Sequence, residues 1–195
     1  MGNLFVMRAS APTPVLARRT ELITAEDRAL RPPGVIGVIA TLAAVALAVG
    51  SAMLSIYWAL GGATLLDTMG GSTERWGRER GGLAIVALVG WAVVKLAVAA
   101  ALVAATGLLG DRHPGRWLRV ATWLVAVQLT VYGGLLTVGG LLVETGLVEP
   151  PDTADRHAIT WHTRLWDPWT MVWGLAIAVA LWSTRPQRAA RATTT

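Results

Sequence analysis

The chain has 195 residues, 54% of them hydrophobic and only 15% charged, where an average soluble domain carries about 25% charge. That balance excludes an ordinary soluble domain and places the chain in the membrane class. It has no cysteine, which excludes disulfides and thiolate metal sites, and its net charge of +5 lies on arginines scattered through polar segments beside apolar runs, a topology signal and not a nucleic-acid footprint.

Residues 1–33 carry five arginines and four prolines. They do not lead into the short apolar core and small-residue cleavage site of a signal peptide. Val6 stands where N-myristoylation needs Ser or Thr. The expectation is a mostly disordered cytoplasmic tail with a helical turn near 24–30. Four apolar stretches follow, at about 35–60, 83–109, 118–143 and 166–183. A helix crossing the hydrocarbon needs roughly 20 apolar residues. All four lack the alternation of barrel strands, so helices are expected.

The first span ends in "SIYWALGG" (55–62), where Gly61 or Gly62 suits a helix stop. The next stretch, "GGSTERWGRERGG", reads as an exposed mixed-charge loop; it lacks the lysine and the strand–loop–helix context of a phosphate loop. Gly133, Gly134, Gly139 and Gly140 of the third span are placed to let a neighbouring backbone approach closely. The acidic connection 144–167 holds His157 and His162 near Asp152 and Asp155, but five-residue histidine spacing matches no recognised metal-ligand pattern. Within it, 153–166 reads as an interfacial amphipathic stretch with Ile159, Trp161, Leu165 and Trp166 toward lipid. In "WDPW" (166–169), Asp167 suits an N-cap and Pro168 the first helical position. Residues 185–195 form a basic tail.

Eleven of the arginines fall in the tails and the 110–117 connection with its flank, and five fall in the other two connections. The positive-inside rule therefore puts both termini in the cytoplasm. Four spans with short connections give an all-α fold, an integral membrane four-helix antiparallel bundle in one domain at 34–184. The two helix pairs share no motif, which disfavours an inverted-repeat transporter. Seven of the ten tryptophans lie toward the outward face, as an aromatic belt requires, though more of them than anchoring alone needs.

Taken together, "YWALGG" ending the first span, "YGG" in the third and "WDPW" opening the fourth resemble a family of small four-span bacterial membrane proteins, common in actinobacteria and of unknown function. The resemblance covers about 35–183. It implies the fold and the membrane location, and no activity or catalytic residues.

Lys95, the one lysine of the chain, stands 13 residues after Gly82 and 15 before Gly110. At 1.5 Å per residue its Cα is about 20 Å from each end of the span, near the midplane. A charged lysine there is unfavourable by at least about 2.5–3.5 kcal/mol, and an ionisable group inside a membrane is by default a candidate functional group. On a helix entering from outside, its side chain tilts outward, toward a cation–π contact with Trp91 and a polar pocket with Ser55, Tyr57, Tyr132 and Trp173; Asp167 is an outer-face acid able to approach it. Three readings compete: a packing lysine hydrogen-bonded to hydroxyls or carbonyls, a site for an anionic or carbonyl-bearing ligand, and a catalytic or proton-relay amine. The sequence favours a non-enzymatic protein of the plasma membrane that binds lipid or a small amphiphile, or serves as an accessory subunit or homo-oligomer, around Lys95 and the outer tryptophans. The alternative is a small membrane enzyme or transporter using Lys95 with an outer-face carboxylate. No metal and no nucleic-acid partner is expected, and no cofactor is identified.

Overall fold

The computed structural model describes residue 18, residues 34–109 and residues 115–184. The chain divides into two units, 1–32 with 188–195, and 33–187. Apart from Arg18, the described residues lie in the second unit, and the expectations for both tails fall outside them.

The described residues are helical, with no strand among them. In chain order the elements are α1 (Val35–Ala59), α2 (Gly71–Glu79), α3 (Gly82–Thr106), α4 (Arg116–Glu144), α5 (Arg156–Trp161), a π-helical turn (His162–Trp166) and α6 (Asp167–Ser183). Helices α1, α3 and α4, and the continuous stretch Arg156–Ser183, are each long and apolar enough to cross a membrane. The chain is thus a multi-pass membrane protein, and the four expected spans are present.

Small residues decide how the helices meet. Along α1, Ala40, Ala44, Ala48 and Ala52 recur every fourth position and are all buried. This stripe lets α3 and α6 pack on α1 at close range, as association in hydrocarbon demands. Helix α4 packs chiefly on α6. A Cβ on Gly133 would come within 2.5 Å of Met171 N, and one on Gly174 within 2.5 Å of Thr130 N, so two backbones touch through these glycines. Gly140 meets Thr163 in the same seam, whereas Gly139 faces open space. The shared core contains Ala48, Ala99, Leu102, Ala126, Ile177 and Leu181. Large apolar residues such as Leu42, Met53, Val86, Leu124 and Leu135 point outward, where lipid chains are the solvent.

A second, smaller core closes one end of the helices. Trp58, Ala59, Leu66 and Leu88 are buried there, with Met69 and Trp166 packed against them. The connection 60–70 folds back over this end; we call it the capped end. Gly61 (φ 101°) makes the left-handed turn that stops α1, and the Arg80 guanidinium donates to Leu60 O at 3.1 Å, satisfying a terminal carbonyl. At the other end, the Arg119 guanidinium donates to Ala105 O at 3.0 Å and to Leu181 O and Thr184 O. One cation thereby collects the free carbonyls of both α3 and α6, where a positive charge complements the helix dipoles.

Two local expectations are corrected. The stretch expected to be an exposed loop contains α2, supported by a Glu74–Arg78 pair at 2.6 Å and by Gly77 lying against Leu66. A single turn-spaced ion pair and one buried contact outweigh its glycines. The second correction concerns the start of the last span, expected near 166, which the structure extends back to Arg156. Asp155 caps α5 by accepting from Ala158 N at 3.1 Å, and the chain then runs through the π turn into α6 without a break. Asp167 is therefore inside a helix and does not cap one. The π turn, in which Asp167 N bonds to His162 O, lies directly before Pro168. Proline lacks an N–H and its ring crowds the preceding turn. A widened turn at that point accommodates both defects.

Candidate functional site

Lys95 lies on the packing stripe of α3, in register with buried Leu88, Ala92, Ala99 and Leu102. Its stem follows α1, and Nζ donates to Ser51 O at 3.2 Å and to Ser55 Oγ at 2.9 Å. Ser55 is buried, and its hydroxyl donates in turn to Ser51 O at 3.3 Å. Ser55 precedes the last residue of α1 by four positions, about 6 Å along a helix axis. The amine thus sits nearer the capped end than the Lys95 Cα does, by no more than the reach of its side chain, in keeping with the tilt of helical side chains toward the N-terminus.

Both acceptors are neutral, although an ammonium has three protons to give. Among the described residues, each carboxylate in an ion pair has another partner: Glu74 with Arg78, Asp67 with His157, Asp167 with His162 and Glu144 with Arg164. The Trp169 ring packs on Gly50, next to Ser51, with ring carbons 3.5 Å from where a Cβ would lie. The indole nitrogens of Trp169 and Trp173 are buried and have no hydrogen-bond acceptor among the described residues. Hydrogen-bond donors are therefore in excess in this part of the molecule.

The other expected pocket residues are dispersed. Trp91 is 59% exposed and Tyr132 55% exposed, both on outward faces. The anticipated contact of the Lys95 ammonium with Trp91 gives way to Ser51 and Ser55, whose oxygens bind an ammonium more directly than a ring face does. Tyr57 turns onto the connection 60–70, its hydroxyl 2.9 Å from Thr64 Oγ1. Trp173 is buried in the shared core. Asp167 is buried but goes to His162. Of the seven, Lys95 and Ser55 are directly bonded.

At the capped end the two tryptophan-containing motifs meet. Trp58 and Trp166 pack edge to face with centroids 6.1 Å apart. The Trp58 indole donates to Thr64 O at 2.9 Å, and that of Trp166 to Thr68 Oγ1 at 3.0 Å. Trp166, expected to face lipid, instead pins the connection 60–70 from inside. His162 completes the cap: Nδ1 is 3.1 Å from Asp167 Oδ1 and Nε2 is 3.1 Å from Met69 O. A carbonyl and an ionised carboxylate can only accept. The ring is set between these two acceptors, and its tautomer decides which nitrogen donates. His162 and Asp167 are five apart, a spacing that points to different faces of an α-helix but to nearby positions on a π turn. The pair was hidden in the sequence for that reason. The one available signal was Pro168, which marks the place where a regular helix has to deform.

Residues 48–177 match the model of a family described as "Protein of unknown function (DUF3995)". The matched stretch contains Lys95, both tryptophan motifs and the whole cap, and it agrees with the expectation of a family of unknown function. No curated protein and no solved structure matches the chain.

Proposed function

The chain belongs to that family of unknown function, and from this premise we propose that it is a non-enzymatic membrane protein that receives an amphiphile bearing a carboxylate, phosphate or carbonyl group at Lys95. The spans run antiparallel in a bacterial plasma membrane, with both termini cytoplasmic and the capped end outside. One observation carries the ligand reading: the Lys95 amine is held by two neutral oxygens, Ser51 O and Ser55 Oγ, with no carboxylate among the described residues to balance it. A charge retained in hydrocarbon at this energetic disadvantage calls for a compensating group. The buried, acceptor-less indole of Trp169, beside Ser51, adds a second donor seeking an oxygen. The cap ties down the end of the helices nearest the amine, so the site is approached from between the helices.

The test is native mass spectrometry of protein extracted in mild detergent, comparing wild type with Lys95→Met. An acidic or carbonyl amphiphile retained by wild type and lost by the variant is the expected result. Bare protein in both, or equal retention in both, refutes it. Because the chain has no cysteine, orientation is read with single substitutions: a membrane-impermeant maleimide should label Ser72→Cys but not Thr193→Cys in intact cells.

A further inference from the structure

Beyond the lysine, a second group of basic residues lies at the junction of α4 with α5. An open cleft of about 320 Å³ is lined by Val143, Glu144, Arg156, Ile159, Thr160 and Arg164, a volume at the small end of ligand pockets. Arg156, Thr160 and Arg164 follow one another at four-residue intervals and present one face of the helix toward the end of α4. The Arg156 guanidinium has no bonded partner among the described residues. Arg164 uses Nε on Glu144 Oε1 at 3.3 Å, which leaves its terminal nitrogens for another acceptor. With one carboxylate against two guanidiniums, the cleft keeps a charge of +1. The nearby Asp155 does not cancel it: its carboxylate caps α5 and faces Gly70, on another side of the helix.

The surroundings say what kind of anion fits. The cleft opens where the apolar span of α4 ends, at headgroup level. From Val143, the same face of α4 continues through Gly139, Leu136 and Tyr132 at helical spacing. Gly139 meets nothing within 4 Å, and Leu136 and Tyr132 are exposed. A basic, hydrogen-bonding cleft thus lies above an exposed, largely apolar strip of α4, and an amphiphile with an anionic head matches both parts.

We propose that this cleft seats the phosphodiester of an anionic glycerophospholipid, held by Arg156 and Arg164, with an acyl chain along that strip of α4. Guanidinium groups bind phosphate oxygens in pairs. Thr160, whose hydroxyl donates to Arg156 O at 3.0 Å, remains to accept from a hydroxyl of a glycerol headgroup. This site shares no residue with the one at Lys95, so either can fail without the other.

The protein is reconstituted in nanodiscs of equal phosphatidylglycerol and phosphatidylcholine, and the lipids retained after ejection are counted by native mass spectrometry. Wild type should retain phosphatidylglycerol preferentially. Arg156→Gln, which breaks no bond among the described residues, should weaken that preference several-fold, and Arg156→Gln with Arg164→Gln by about tenfold. Glu144→Gln should strengthen it by removing the competing carboxylate, whereas a purely structural Arg164–Glu144 pair would make both substitutions weaken retention alike. In a Lys95→Met background, which removes any lipid held at that other site, the preference should keep the same dependence on the two arginines. A preference indifferent to the arginines overturns the proposal. So does equal retention of phosphatidylethanolamine in a matched nanodisc, or equally tight binding of free glycerol 3-phosphate, which would mark a site for a soluble phosphate.

Discussion

Lys95→Met separates a lysine kept for a ligand from one kept for the fold. Methionine preserves the unbranched stem and its packing on α1 but removes the donations to Ser51 O and Ser55 Oγ. The loss strands no polar group. Ser55 keeps its bond to Ser51 O, and Ser51 O keeps its place in the helix. Hydrogen bonds between membrane helices average about 0.6 kcal/mol and reach about 1.7, so the two lost here amount to about 1.2 kcal/mol and at most about 3.4. That term belongs to helix association. The separate insertion of α3 should improve by about 2.5–3.5 kcal/mol once the charge is gone. Steric-trap unfolding in bilayers measures the first quantity, and translocon-mediated insertion of the 82–106 segment measures the second. Ser55→Ala in the same assay should lose about 0.6 kcal/mol, and the double variant should show that the two residues are coupled. A Lys95→Met protein that fails to assemble, or loses clearly more than about 3.5 kcal/mol on association, would refute the reasoning. The lysine would then be a structural fastener, and a compensating ligand would be unnecessary.

Three further outcomes follow from the packing and the cap. Gly133→Ala and Gly174→Ala should each destabilise the α4–α6 contact by about 1–3 kcal/mol through overpacking, while Gly90→Ala, where nothing lies within 4 Å, should not; thermal unfolding in detergent distinguishes them. Asp167→Asn should be tolerated within about 1 kcal/mol, because an amide N–H can donate to His162 Nδ1, whereas Asp167→Leu leaves the half-buried His162 ring without that partner and should lose about 1–2 kcal/mol by the same measurement. Arg119→Lys should fail to restore the stability lost in Arg119→Met, since a single ammonium cannot span the carbonyls of Ala105, Leu181 and Thr184 as the forked guanidinium does.

The candidate site was only partly legible in the sequence. A lysine inside an apolar run is visible from composition alone, and Ser55 follows from matching depths along two helices. Tyr57, Trp91 and Tyr132 lie at suitable depths too, yet depth leaves the angle about the helix axis open, and all three turn away. Trp173 was placed at the right level but belongs to the shared core. Asp167 satisfied every local rule for an N-cap. The rule failed because the helix had already begun at Arg156, capped by Asp155, and passed through a π turn.

By itself the sequence determined four membrane-crossing helices, the glycine seam at Gly133 and the presence of an amine inside a span. Each of these follows from a local or one-dimensional requirement: enough apolar residues to cover the hydrocarbon, no Cβ where backbones touch, no charge without consequence in lipid. The tertiary structure decided where the amine points, what holds the connection 60–70 and which residues face one another at the capped end. The bonds involved join Lys95 to Ser51 and Ser55, Trp166 to Thr68, His162 to Met69 and Arg119 to Leu181, all pairs 40 or more residues apart. Their geometry depends on how each helix is rotated and offset against its neighbour, which the small-residue contacts fix only after the helices have packed.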